Sequence, residues 1–307
     1  MSAQHAGFSR RGWLLFGAMA LLWGVPYLFI SVAVESFSPP AIVAGRTLIA
    51  ALLLLPFALR SGALKAAWRH WPWVLLFGAV EMAGPFVLLG HAEMTLPSGM
   101  TGLLVATVPL FAALIALGGG DRGVLAPARS IGLLVGFVGV VTVVAGPGLF
   151  GGEVSLLAAG EVLLVAILYA IAPFIVARKL SDVPSLGTIT LSLLMIGVIY
   201  LPLAVLTQHH VPTLPSIGAL LALAVICTAV AFLAFFALIR EVGPVRAPLF
   251  TYVNPIVAIV LGALVLAEPL TPGLLIGFPL VIVGCWFAAT GGRLRPPAPA
   301  LPPSATP

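Results

Sequence analysis

Two glutamates and one arginine stand where charge is expensive. Glu81, Glu161 and Arg46 each fall inside a long apolar run. Such runs, about 20 residues long, can cross the ~30 Å hydrocarbon core of a bilayer as a helix. An ionisable group at that depth costs at least ~2.5 kcal/mol, so it is retained for chemistry or for a partner. A desolvated carboxyl that takes up and releases a proton is one device by which a carrier couples solute movement to an ion. Glu81 and Glu161 are therefore candidate ion-coupling groups. Arg46 is the candidate intramembrane charge partner, and a structural ion pair between it and one glutamate is the competing reading. The residues three and four positions from Glu81 are Phe77, Gly78, Gly84 and Pro85, a narrow face suited to tight packing or to a cavity wall. Tyr169 follows Glu161 by about two helical turns on the same side.

A solute that meets those charges also needs flat and hydrogen-bonding surfaces. Trp23, Tyr27, Phe86, Tyr169, Tyr252 and Asn254 are the candidates for lining a mostly apolar pocket. The alternative for such residues is anchorage at the membrane interface, which suits Trp68, Trp71 and Trp73 at the start of a run. Prolines within the runs remove a backbone donor and bend the helix. Pro26, Pro109, Pro173 and Pro255 are the candidate kink or gating positions.

Other chemistries lack their residues. No GxSxG elbow, no His-rich or Asp-rich cluster and no GxxxxGK[ST] loop is present, which leaves no nucleophile, metal or nucleotide machinery to read. "HAEMT" at His91 is not HExxH, and the adjacent His209 and His210 point apart on a helix. Neither a repeated filter sequence nor a ring of like charges marks a selective pore. Cys227 and Cys285 lie in apolar runs and read as small packing residues. An intramembrane enzyme and a channel-like or structural subunit are the alternatives to a carrier. No cofactor, metal or nucleic acid is expected.

The elements that position these residues follow from composition. Hydrophobic residues make up 61% of the 307, charged residues 7%, and the mean hydropathy is +1.21. A soluble domain carries about 25% charged residues, so water is not the solvent of this surface. Unbroken runs rather than alternation select helices over a barrel. Ten spans are read at 12–34, 39–59, 71–92, 97–118, 130–147, 154–177, 185–206, 216–239, 246–267 and 271–290, separated by Pro and Gly turn-formers. The fold class is an all-α integral membrane protein. Residues 1–11 form an N-terminal tail, and the Pro- and Ala-rich 291–307 a disordered one.

Charge sets a direction. Of 14 Lys and Arg, all but Arg46 fall in segments on one side, the side of both termini. Glu35, Glu93, Glu153, Glu268, His209 and His210 occupy the other side. The positive-inside rule then makes both termini cytoplasmic and the chain a multi-pass protein of the plasma (inner) membrane. Ser9-Arg10-Arg11 is faintly like a twin-arginine signal, but the apolar run after it is too long for one.

The chain also repeats. Pro109 and Pro255 are 146 positions apart, Gly139 and Gly284 145, Pro26 and Pro173 147, and Pro40 and Pro184 144. Five spans per half, at 12–147 and 154–290, place the halves in opposite orientations, the inverted construction of many secondary transporters. Glycine stripes at Gly132, Gly136 and Gly139 and at Gly273, Gly277 and Gly284 mark close helix contacts, either within one chain or across a homodimer.

These features together resemble the drug/metabolite transporter superfamily in its ten-helix EamA-type branch. The likeness runs over about residues 12–290. It is carried by "LLWGVPYLFISVAVESFSPPAIVAGRTLIAALLLLP", "LPSGMTGLLVATVPLFAALIAL", "IGLLVGFVGVV" and "LFTYVNPIVAIVLGALVLAEPLTPGLLIGFPLVIVG". The resemblance implies a basket of two repeats around a central cavity. It also implies export or uptake of small solutes such as amino acids; export is the expected direction, and the buried glutamates make protons the candidate coupling ion. Where the family's fourth span ends in a Glu like Glu268, this chain has Asp121.

Overall fold

The computed structural model describes residues 9–149, 154–243 and 247–292. Expectations about most of both tails, Glu153, Arg246, Arg293 and Arg295 lie outside the described residues. Among the described residues, ten helices are long and apolar enough to span a membrane: α1 (Arg10–Ala33), α2 (Pro39–Arg60), α3 (Trp71–Ala92), α4 (Ser98–Gly118), α5 (Pro127–Ala145), α6 (Leu156–Lys179), α7 (Ser185–Thr207), α8 (Leu214–Val242), α9 (Ala247–Val265) and α10 (Pro272–Thr290). No strand occurs among the described residues. An even number of crossings brings the start of α1 and the end of α10 to the same end of the bundle.

Local chemistry sets the helix ends. Ser38, Ser155, Thr213 and Thr271 each accept a backbone N–H from the first turn of α2, α6, α8 and α10. Prolines occupy the first turn of α2, α8 and α10, where their missing N–H costs nothing. Gly243 (φ 83°) and Gly291 (φ 65°) end α8 and α10 in a region that side chains avoid.

Several spans are not continuous. α1 unwinds over Trp23 to Val25 and resumes at Pro26. α4 breaks at Ala106 and Thr107 just before Pro109. α9 starts as a 3-10 turn, Ala247–Tyr252, and becomes α-helical at Asn254. α3 contains a π-helical turn, Ala79–Ala83, and α8 another, Val225–Val230. Pro85 has no N–H to close on the carbonyl of Glu81, which loosens α3 there. In α8 the Thr228 hydroxyl donates to the Leu223 carbonyl at 2.8 Å, filling the opened ladder. Val225 follows Ala79 by 146 positions, the interval that separates Pro109 from Pro255.

Pro26 and Pro173 do not behave alike, although their spacing predicts equivalent kinks. α6 is α-helical from Leu156 to Lys179 with Pro173 inside it. The break before Pro26 is prepared by Gly24, a weak helix former, whereas Ala170 and Ala172 favour continuation at Pro173.

Helices pack mainly across the halves rather than within them. α2 lies against α7, α4 against α9 and α5 against α10, each a pair of equivalents. α1 packs on α8, and α3 packs on α6 in the reciprocal contact. The glycine stripes of α5 and α10 face each other. A Cβ on Gly139 would come within 2.7 Å of the Val281 nitrogen, and one on Gly284 within 2.8 Å of the Gly132 carbonyl oxygen. The stripes therefore serve the monomer's interior. Leu14, Leu134, Leu206 and Leu264 remain exposed on the outer surface, as lipid-facing residues should.

Candidate functional site

The broken segments border a cavity of about 250 Å³. α1 supplies Trp23, Pro26 and Tyr27, α3 supplies Glu81 and Phe86, and α2 supplies Arg46. From the second half come Tyr169 on α6, Cys227 and Phe232 on α8, and Tyr252, Asn254 and Pro255 on α9. Pro109 closes the wall from α4. Each cavity helix except α2 and α6 is irregular at the residues that line it. Irregular backbone at membrane depth is tolerated where it borders a cavity, because its freed polar groups have no partner in lipid.

Glu81 occupies the π turn of α3, so the extra residue of that turn projects its carboxylate toward the cavity. Tyr200 of α7 donates its hydroxyl to the Ala83 carbonyl at 3.1 Å, partnering one backbone group of the same turn. Arg46 is 6% exposed and its Nε donates to the Thr228 hydroxyl at 2.8 Å. Its guanidinium carbon lies 3.9 Å from the centre of the Phe86 ring, a cation–π contact. Thus the π turn of α3 carries the carboxylate and the matching π turn of α8 holds the cation from α2. Tyr169 is close enough to feel the charge of both Glu81 and Arg46.

The carboxylate partner considered for Arg46 is absent: among the described residues it forms no ion pair with Glu81 or Glu161. Glu161 is turned elsewhere. Both its oxygens lie 2.9 Å from Nδ1 of His91, whose side chain is 54% exposed, and neither residue borders the cavity. Pro173 also lies off the cavity.

The six aromatic and amide candidates all reach the cavity wall, and Trp23 and Asn254 have structural contacts as well. Trp23 packs on Phe232, Phe235 and Phe250 with ring centres 5.0 to 5.7 Å apart. The Asn254 amide nitrogen, oriented by its surroundings, donates to the carbonyls of Ala20 and Phe250 at 3.2 Å, tying the start of α9 to α1. Gly102 makes room for Tyr27, since a Cβ there would come within 3.1 Å of the Tyr27 ring. Sequence reading missed Thr228, Tyr200 and Cys227 as site residues. Thr228 and Cys227 stand 147 and 146 positions after Glu81, so the repeat interval was the signal that could have found them.

A helical bundle whose interrupted spans close around a small, partly charged chamber at the junction of two repeats defines a membrane transporter. The chain belongs to the EamA-like transporter family, whose model matches residues 10–145 and again 156–290. It is 29% identical to the inner membrane transporter YedA of Escherichia coli strain K12, over 94% of this chain and 95% of that one. It is 28% identical to the transporter YvbV of Bacillus subtilis, covering 92% of each. A probable terminal-alkyne amino-acid exporter of Streptantibioticus cattleyicolor is 24% identical over 89% of this chain. One solved crystal structure shares the fold, with a TM-score of 0.63 at 20% identity over 90% of this chain and 96% of its own.

Proposed function

We propose that this transporter exports a small zwitterionic or carboxylate-bearing metabolite of amino-acid type by alternating access, with a proton as coupling ion at Glu81. One observation carries the reading: a cavity of about 250 Å³ holds a buried arginine and a half-buried glutamate that are not paired with each other. Pockets for drug-sized ligands run from about 300 Å³ upward, so the solute is smaller than those. Arg46 presents a fixed cation for a carboxylate, Tyr27, Tyr169 and Phe86 offer aromatic surface, and Glu81 exchanges a proton. The likeness to a relative named as an amino-acid exporter supports the same solute class.

The test is a panel of amino acids and related acids in proteoliposomes, with and without a pH gradient. Wild type is expected to accumulate its solute along the gradient. Glu81→Gln keeps the shape and removes the titration, so it should exchange solute without responding to the gradient. Unchanged transport with unchanged pH dependence would remove the coupling role from Glu81.

We also place the chain in the inner membrane with both termini in the cytoplasm, supported by the one-sided Lys and Arg. Reporter fusions at the two ends should both give the cytoplasmic signal. Opposite signals would sink the even count of crossings, and two external signals would invert the proposed export direction.

A further inference from the structure

We propose that Glu93 is a proton-binding site that latches the end of the bundle opposite the chain termini. Glu93 carries its proton while that end is closed and releases it as the end opens to water.

Glu93 caps the C-terminal end of the α-helical part of α3 and is 5% exposed. Both carboxylate oxygens are shielded from solvent and neither accepts a hydrogen bond. A helix C-terminus carries a partial negative charge, so this position disfavours an anion. Of the groups that face it, only the Ser31 backbone offers any compensation. The turn between α9 and α10 brings the Glu268 carboxylate, and α1 brings the Tyr27 ring and the Ser31 backbone, the latter outside hydrogen-bond geometry. On α3 itself His91 is engaged by Glu161 of α6. α2 contributes Arg46, which acts on Tyr27 from the cavity side and is held by Thr228 of α8.

Glu268 has the opposite environment. Its oxygens accept the N–H groups of Ser98 at 2.7 Å and Gly99 at 3.0 Å, at the N-terminus of α4. Those donors and the positive helix end satisfy its oxygens. It is aimed there by Ala267, whose φ of 55° is a backbone position alanine rarely adopts. Of two neighbouring carboxyls, one thus meets two backbone donors and the other is left with none. Burial and the Glu268 charge hold the Glu93 carboxyl well above the usual carboxylate range. Water at an opened end would restore its ordinary acidity. The closed end is therefore favoured at low pH and loses that preference as pH rises through the raised value.

Only the opening step rests on the alternating-access reading; protonation of Glu93 can be tested without transport. Infrared spectra of the purified full chain, labelled with carboxyl-13C glutamate, should show a protonated carboxyl band at neutral pH. The band should fall in Glu93→Gln and persist in part in Glu81→Gln. A band untouched by Glu93→Gln overturns the site, as does a Glu93 that is ionised at neutral pH in sodium buffer. Glu268→Gln keeps an acceptor for the α4 N-terminus, and it should move the loss of the band to lower pH; no movement also overturns the site. Hydrogen exchange over Ser98 to Gly102, corrected for intrinsic rates, reads the opening. Protection in wild type should drop roughly fivefold or more as pH rises, and Glu93→Gln should abolish that dependence. The same pH dependence in both proteins would leave Glu93 no part in the latch.

Discussion

Arg46→Met is expected to cut transport of carboxylate-bearing solutes while leaving the protein folded. The guanidinium is buried, rests on the Phe86 ring and bonds one hydroxyl, yet no carboxylate in the described chain neutralises it. An unneutralised cation within a membrane span costs up to roughly 2.5–3.5 kcal/mol. Methionine keeps much of the stem and removes that cost, so the melting temperature should hold or rise. Losing the cation that faces a desolvated carboxylate costs about 2–5 kcal/mol of binding. At about 1.4 kcal/mol per tenfold, affinity falls roughly thirtyfold to a few thousandfold. The measurement compares an amino acid with its carboxyl-free amine in competition for transport. Wild type should discriminate strongly between them and Arg46→Met weakly. Equal losses for both compounds would show that Arg46 shapes the cavity without recognising the carboxylate. Arg46→Lys should recover only part of the discrimination, since a lysine lacks the planar fork.

Gly284→Val is expected to remove most of the folded protein. A Cβ at Gly284 meets the backbone nitrogen and Cα of Gly136, and the Gly132 carbonyl oxygen at 2.8 Å. Backbone in a helix cannot step aside as a flexible side chain can. Overpacking costs about 1–3 kcal/mol where neighbours yield, and the upper end or beyond applies where the neighbour is a helix backbone. α5 and α10 would separate, and with them one of the three direct pairings between equivalent helices. The check is the monodisperse yield and thermal midpoint in detergent, against Gly218→Val as control. Gly218 has nothing within 4 Å of its added Cβ, so its variant should differ only by helix propensity and side-chain bulk. If Gly284→Val instead leaves a stable monomer and changes only association, the stripe belongs to an interface between copies.

How much of this could be read from one line of letters follows from what hydropathy measures. The ten crossings, their approximate ends and the doubling of the chain were legible. Lipid demands a long apolar run for each crossing, and the Pro and Gly turns punctuate the runs. That Glu81 and Arg46 fall within spans was legible for the same reason. So were the break before Pro26 and the irregular start near Pro255, because proline withdraws a donor wherever it stands. The continuous passage of α6 through Pro173 was not, because neighbouring residues decide whether a helix yields.

What the sequence by itself determined is which residues fall in apolar runs long enough to cross a membrane. The tertiary structure alone decided who meets whom: Arg46 with Thr228 and Phe86 rather than a carboxylate, Glu161 with His91, Glu268 with the start of α4, and the glycine stripe of α5 with that of α10. The physical reason lies in the solvent. An apolar side chain is as well accommodated by acyl chains as by another helix, so hydrophobic pattern reports depth and carries little information about the partner. Partners are chosen by shape and by the few polar groups that lipid cannot satisfy, and those contacts join residues more than a hundred positions apart in the chain.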